Sequence, residues 1–201
     1  MRVLTPEQLD DAVAILHEGG VVVYPTETSY GMGCDAENAD AVAKVFAIKG
    51  RPVNKGVSII VSSLTVALRY IYLRPYSRRL AEYYWPGPLT IVAAKMPSSL
   101  LAPLCEHDGT HAVRVSSCPV ATALAEKFGK AIVATSANIS GGGDVYDSSE
   151  VIATYGDRTL QPDAYIEAGV LPRTLPSTII EVGEEGIHIL RQGGIVVRKV
   201  W

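Results

Sequence analysis

The stretch TPEQLDDAVAILHEGGVVVY, residues 5–24, decides the fold, because a helix signal runs directly into a strand signal. Thr5 is a favourable N-cap residue, Pro6 suits the first helical position and Gln8 completes a capping box, so a helix is predicted from Thr5 onward. Apolar residues then recur at helical spacing up to the glycine pair at 19–20, where the helix should end. The β-branched run at 21–24 predicts a buried strand immediately afterwards.

The same alternation continues along the rest of the chain. Apolar patterning predicts further strands at 57–61, 90–94, 112–115, 131–134, 178–182, 187–190 and 195–197, and helices at 39–48, 64–70, 77–84, 119–128 and 149–155. Strands alternating with helices predict an α/β fold, a largely parallel or mixed sheet with flanking helices. Ligands of such sheets bind beyond the carboxyl ends of the strands, so the loops there are the places to look for chemistry.

Composition narrows the class of protein. The 201 residues are 48% hydrophobic, enough for one well-buried core and a single domain over 1–201. The net charge of −3 argues against a dedicated nucleic-acid binder. No apolar run approaches the roughly 20 residues that span a bilayer, and three widely spaced cysteines indicate a reducing, cytoplasmic setting.

Two polar segments directly follow predicted strands. PTETSYGMG, residues 25–33, sets the hydroxyls of Thr26, Thr28 and Tyr30 beside glycines, which suits either a ligand site or a self-contained tight turn. TSANISGGG, residues 135–143, offers Ser136, Asn138 and a glycine run whose N–H groups can form an anion-binding nest. A plain turn is the alternative for this second segment.

Cations stand at two further places. KGRP, residues 49–52, ends a predicted helix at a glycine, so Lys49 and Arg51 are expected to leave the helix as adjacent cations. Taken by itself, the segment favours compensation of the helix dipole, which is a sufficient reason for basic residues there. The functional alternative is a phosphate clamp. Near the C-terminal end, Ser177 lies in PSTII (176–180) and Arg191 in LRQGG (190–194), where the arginine is either an ordinary surface residue or a third phosphate-binding cation.

Several familiar sites are excluded. A G-x-G-x-x-A pattern at 31–36 begins too far after its strand and lacks the acidic residue of a dinucleotide site, and the Walker pattern is absent. Cys105, His107 and His111 lie in a predicted loop without a fourth partner, so no metal site is predicted.

Taken in order, the segments resemble the YrdC/TsaC family, the threonylcarbamoyl-AMP synthases. The family patterns P-T-[DE]-T-x-Y-G-[LM]-G, K-x-R-P, W-P-G-P-[LV]-T, V-R-V, S-A-N-x-S-G, S-T-I and R-x-G are matched at 25–33, 49–52, 85–90, 113–115, 136–141, 177–179 and 191–193. Each pattern is weak alone, but the ordered set covers nearly the whole chain. The resemblance implies a YrdC-like fold, a twisted sheet with a concave ligand cleft.

The resemblance also implies a reaction. The family joins L-threonine, bicarbonate or CO2, and ATP into threonylcarbamoyl-AMP and pyrophosphate, and partner proteins use this adenylate for t6A modification of tRNA. Carried over by position, Lys49 and Arg51 are catalytic and, with Ser136, Asn138 and Arg191, bind ATP, which Mg²⁺ would accompany. Thr26, Thr28, Tyr30 and Ser177 would bind threonine, and Arg114 would be a structural or a nucleotide-side cation.

Two other functions remain as alternatives. One is a YrdC-like module that binds RNA weakly in a basic concavity and has no synthase activity; salt-dependent RNA binding without ATP turnover would favour it. The other is a carbamoyl-transfer domain of the kind found within larger hydrogenase-maturation proteins.

Overall fold

A computed structural model describes residues 1–53, 56–183 and 186–198. Its ten strands are β1 Arg2–Leu4, β2 Val22–Pro25, β3 Tyr30–Gly33, β4 Ser58–Ile60, β5 Leu89–Ala94, β6 Thr110–Arg114, β7 Ile132–Ser136, β8 Ala164–Ile166, β9 Thr178–Val182 and β10 Ile187–Arg191. Its helices are α1 Leu9–His17, α2 Ala39–Lys49, α3 Leu64–Ala67, α4 Pro75–Tyr84, α5 Pro119–Phe128 and α6 Ser148–Tyr155, with a 3₁₀ turn at Pro103–Cys105.

In the described part of the chain, the strands form one mixed sheet in the order β1-β8-β2-β3-β7-β4-β6-β5-β9-β10. Four neighbouring pairs are parallel, namely β1–β8, β2–β8, β4–β6 and β5–β9. The remaining pairs are antiparallel. The α/β prediction is therefore confirmed in its mixed form.

Helices cover both faces of this sheet. Val21 and Val23 belong to one buried cluster and Val22 and Tyr24 to another, since successive strand residues point to opposite faces. Apolar residues of α2, α4 and α6 join the first cluster, and those of α1 and α5 join the second. The strand at 21–24 thus lies in the middle of the core, as its composition predicts.

The first helix begins later than predicted. The Thr5 N–H donates to Gln8 Oε1 at 3.0 Å, and the Gln8 N–H donates to the Thr5 carbonyl at 3.0 Å. Residues 5–8 therefore close a turn of their own, and α1 begins at Leu9. The capping-box residues make one of the expected bonds, but they make it before the helix.

Other differences concern short elements. Residues 30–33, expected within a turn, form β3 as the antiparallel partner of β2. Strands β1 and β8 are additional to the predicted set, α3 ends at Ala67, and residues 195–197 form no strand. These elements have three or four residues each, too few for a periodic pattern to be recognised.

Candidate functional site

A cavity of about 350 Å³ lies against the sheet, where the β2–β3 turn, the end of β7 and the β9–β10 hairpin meet. This volume is in the range of small-molecule sites. Seven residues singled out in the sequence line it, although they come from distant segments: Thr26, Thr28, Arg51, Arg114, Ser136, Ser177 and Arg191.

One wall is the turn between β2 and β3. The Thr26 hydroxyl donates to the Ser29 carbonyl at 2.7 Å and accepts the Thr28 and Ser29 N–H groups at 3.1 and 3.2 Å. It also lies 2.9 Å from the Thr28 hydroxyl. Thr26 thereby closes the turn itself, and the turn presents Thr28 and Ser29 to the cavity. The segment is thus a self-satisfied turn that also forms a wall of the cavity, and its role as a ligand site stays a prediction.

The C-terminal hairpin forms another wall. Parallel pairing of β9 with β5 sets Thr178 opposite Leu89 and brings the Ser177 hydroxyl 2.9 Å from that of Thr90. Arg191 donates from Nε and Nη2 to the Ser177 carbonyl at 3.0 and 2.9 Å, and from Nη2 to the Ser177 hydroxyl at 2.9 Å. Burial lowers the pKa of the Arg191 guanidinium. Its fork is therefore fixed in place at the cavity wall.

Arg51 enters the cavity from just beyond the end of α2. Its Nη2 donates to the Gly56 carbonyl at 2.7 Å, and its guanidinium lies 5.7 Å from the centre of the Phe46 ring. Burial lowers the pKa of this group too. A planar cation held in this way suits a phosphate or carboxylate.

Lys49 lies elsewhere than predicted. It is only 2% exposed and is outside the cavity lining, because it stands on the buried face of α2 rather than leaving the helix end beside Arg51. Its ammonium donates to the Ser136 carbonyl, to the Asn138 carbonyl at 2.6 Å and to Asn138 Oδ1 at 3.2 Å. Burial, together with the charge of Arg51, lowers its pKa to about 8. The KGRP and SAN segments therefore meet, with Lys49 as the bridge between them.

Asn138 and Tyr30 also lie outside the cavity lining. Asn138 Oδ1 accepts the Ser136 hydroxyl at 2.6 Å, and its Nδ2 donates to the Gly142 carbonyl. The Tyr30 hydroxyl donates to the Gly169 carbonyl at 2.9 Å and accepts the Ala168 N–H at 3.0 Å. Asn138 thus shapes the turn that carries Ser136, whereas the position of Tyr30 does not support a direct contact with threonine.

The cavity lining includes polar residues outside the predicted ligand set, among them Ser58, Thr90 and Asp144. It also includes Arg114, which the resemblance implies as a structural or a nucleotide-side cation. The sequence signal for Arg114 is its place at the end of a strand, inside the V-R-V pattern. Asp144 follows the glycine run of the TSANISGGG segment and places a carboxylate near Lys49 and Arg191.

Among residues 1–53, 56–183 and 186–198, no group of three or more His, Cys, Asp or Glu side chains could hold a metal ion. The two ring nitrogens of His111 form hydrogen bonds with the Cys105 carbonyl and the Ser99 hydroxyl, each at 3.1 Å. No helix in these residues has the length and apolar character to cross a membrane.

Solved structures share this architecture. The Sua5 protein of P. abyssi complexed with L-threonine superposes with a TM-score of 0.88 at 29% identity, covering 96% of this chain and 58% of that one. E. coli YciO superposes with a TM-score of 0.83 at 25% identity, covering 96% and 94%. A full-length HypF in a phosphate- and nucleotide-bound form, at 19% identity and a TM-score of 0.79, shares the fold.

Sequence relatives agree with the structures. A threonylcarbamoyl-AMP synthase of Halorhodospira halophila is 41% identical over 193 residues, which are 92% of this chain and 95% of that protein. One from Xanthomonas axonopodis pv. citri is 44% identical over 139 residues, 66% and 72% of the two chains. The Sua5/YciO/YrdC family model, described as "Telomere recombination", matches residues 14–193. The chain therefore belongs to the Sua5/YciO/YrdC family.

Proposed function

We propose that this protein is a threonylcarbamoyl-AMP synthase, acting as one domain over residues 1–201. The observation that carries the proposal is the cavity of small-molecule size, which is lined by three arginines and by hydroxyl groups from distant segments. The 41% identity to a protein of that name, over 95% of its length, supports the same activity.

In the reaction, the amine of L-threonine combines with CO2, or bicarbonate after loss of water, to give a carbamate. A carbamate oxygen then attacks the α-phosphorus of ATP, the bond to the bridging oxygen breaks, and pyrophosphate leaves with that electron pair. Such transfers depend on positioning and on donors that stabilise the developing charge, more than on a protein nucleophile. An arginine- and hydroxyl-lined cavity supplies those donors.

Each residue has a part in this proposal. Arg51, Arg191 and Ser136 bind the ATP phosphates, since they bring two guanidinium forks and a hydroxyl to the wall. Thr26, Thr28 and Ser177 form the threonine end. Lys49 and Asn138 act by holding the turn that presents Ser136, because their polar groups are already bonded within it. Tyr30 supports the same region from outside the cavity.

Mg²⁺ entering with ATP is part of the proposal. Mg²⁺ is usually held by one or two carboxylates together with substrate phosphates and waters. Asp144 is a carboxylate of the cavity wall, so the donor set fits such an ion. When bound, the ion would neutralise phosphate charge beside the arginines.

The setting proposed is the cytoplasm, where partner proteins would take up the adenylate for t6A formation in tRNA. Weak RNA binding remains a prediction, to be tested by titrating tRNA at several salt concentrations without ATP. A steep salt dependence would support phosphate contacts.

The activity is tested by incubating the protein with ATP, L-threonine and bicarbonate. Mass spectrometry should detect threonylcarbamoyl-AMP, and pyrophosphate should appear in equal amount. Reactions lacking threonine or bicarbonate are the controls and should yield neither product. ATP consumption that is independent of threonine would contradict the proposal and favour a hydrolase, whereas RNA binding without any ATP consumption would favour the binding module.

A further inference from the structure

The Glu27 side chain turns away from the cavity, although its neighbours Thr26 and Thr28 line it. Its Oε1 accepts Arg114 Nη1 at 2.9 Å, and its Oε2 accepts the Ser116 hydroxyl. The side chains of Glu27 and Arg114 are only 15% and 8% exposed. This is a buried, charge-assisted pair, so its geometry is strongly fixed and loss of one partner is costly.

Arg114 belongs to both the pair and the cavity. It is the last residue of β6 and lines the cavity wall, and Glu27 is its hydrogen-bond partner among the residues that the structure describes. A guanidinium has five N–H groups, of which this pair uses one. A buried arginine with donors left over at a cavity wall is suited to a carboxylate or phosphate of the ligand.

Further contacts tie Ser116 and the Glu27 backbone to neighbouring segments. The Ser116 hydroxyl that donates to it also accepts the Cys118 N–H at 3.2 Å, and the Ser116 carbonyl accepts the Thr122 hydroxyl of α5 at 2.9 Å. On the other side, the Thr174 hydroxyl lies 3.1 Å from the Glu27 carbonyl and 3.0 Å from the Thr28 carbonyl. Glu27 is thus tied to α5 and to the segment leading into Ser177.

We infer that Glu27 is a positioning residue, which holds the Arg114 guanidinium at the threonine end of the cavity so that it can bind the α-carboxylate of the amino acid. The inference rests on the proposed function. The carboxylate is favoured over a phosphate because Arg114 is fixed to the hydroxyl-bearing turn 26–29, while Arg51 and Ser136 come from the KGRP and SAN segments. Glu27 itself touches no substrate.

The test compares Glu27→Gln and Glu27→Asp with the wild type. Gln keeps the shape and removes the charge, so the KM for threonine should rise at least about tenfold while the KM for ATP stays within about twofold. Glu27→Asp keeps the charge, so its KM for threonine should lie close to that of the wild type. Asp163→Asn is the matched control, because Asp163 pairs with Lys44 at 2.7 Å away from the cavity lining; its threonine KM should equal that of the wild type.

Three results would overturn the inference: an unchanged threonine KM in folded Glu27→Gln, a rise in the ATP KM instead, or an equal rise in Asp163→Asn. If Glu27→Gln does not fold, Ser116→Ala removes one bond to the carboxylate and should raise the threonine KM about two- to threefold, and no rise would count against the inference. Calorimetric titration of L-threonine into the variants needs no turnover. An inactive wild type would therefore contradict the proposed function, while equal threonine affinities would contradict the role of Glu27.

Discussion

The Lys49 ammonium donates a 2.6 Å hydrogen bond to the carbonyl of Asn138, which is 89 residues away along the chain. With the Ser136 carbonyl and Asn138 Oδ1, this bond uses all three donors of the ammonium. Lys49 therefore joins the end of α2 to the turn after β7, and it has no donor left for a phosphate in this arrangement.

Replacement of Lys49 by Met should loosen that turn. The variant removes three hydrogen bonds, and the carbonyls of Ser136 and Asn138 lose a buried donor at a cost of about 1–3 kcal/mol each, while Asn138 Oδ1 keeps the Ser136 hydroxyl. The variant also relieves the cost of burying a charge. We expect turnover at least about 100-fold lower and faster hydrogen exchange across residues 136–142. Arg51→Ala is the matched variant and should lose turnover without faster exchange in that turn. Near wild-type turnover in Lys49→Met would contradict the bridging role.

The lowered pKa of Lys49 predicts opposite pH dependences for activity and stability. Above pH about 8 the amine is neutral and has two donors for three acceptors, so kcat/KM should fall. The unfolded chain keeps the proton up to the ordinary pKa of 10.5, so the contribution of this group to the free energy of unfolding should rise between pH 8 and 10.5. Rate profiles and denaturant titrations measure the two effects. Lys49→Arg stays charged and should lack the alkaline fall; the same fall in that variant would assign it to another group.

Arginine and lysine at position 191 should differ in the ATP affinity that they give the protein. Arg191→Lys keeps the charge but cannot reproduce the fork that holds the Ser177 carbonyl and hydroxyl. We expect ATP affinity to fall at least about tenfold by calorimetry. Arg158→Lys, an exposed substitution after α6, is the control and should not change it. Equal ATP affinity in Arg191→Lys and wild type would show that charge alone suffices.

A side chain at Gly193 should clash with the segment that carries Ser177 in the cavity wall. A Cβ atom there would lie 2.0 Å from the Pro176 carbonyl oxygen and 2.5 Å from the Ser177 carbonyl carbon. Gly193→Ala should therefore lower the free energy of unfolding by about 1–3 kcal/mol and reduce threonine affinity. Gly194→Ala meets its nearest atom, the Leu175 carbonyl oxygen, at an ordinary 3.6 Å and should be nearly neutral. Urea titration compares them, and equal stabilities would argue against this close contact.

Patterns of sufficient length predicted the fold well. Helix α5 has the predicted bounds, 119–128, because proline at its start and glycine after its end mark both limits. The buried run at 21–24 and the αL glycine that ends α2 at position 50 follow the same local rules. The start of α1 differs because residues 5–8 satisfy each other in a turn, a choice that propensity alone does not decide.

The candidate site was predictable to the level of segments, and less so to the level of side chains. Loops after strands were expected to meet, and Thr28, Ser136 and Arg191 do line one cavity. Burial of Lys49 depends on which face of α2 packs inward, and the pairing of Glu27 with Arg114 depends on a contact across 87 positions. A single sequence holds no signal for such contacts.

Because β9 pairs in parallel with β5, the cavity is completed only when β9 has been translated. Strand β9 is translated after every other described strand except β10, although it pairs with β5, which lies four strands earlier in the chain. A nascent chain that ends before residue 176 lacks Ser177 and Arg191, which line the cavity. Under the proposed function, ATP binding therefore requires that the β9–β10 hairpin has been translated, and bound ATP would stabilise the pairing of this hairpin with the rest of the sheet.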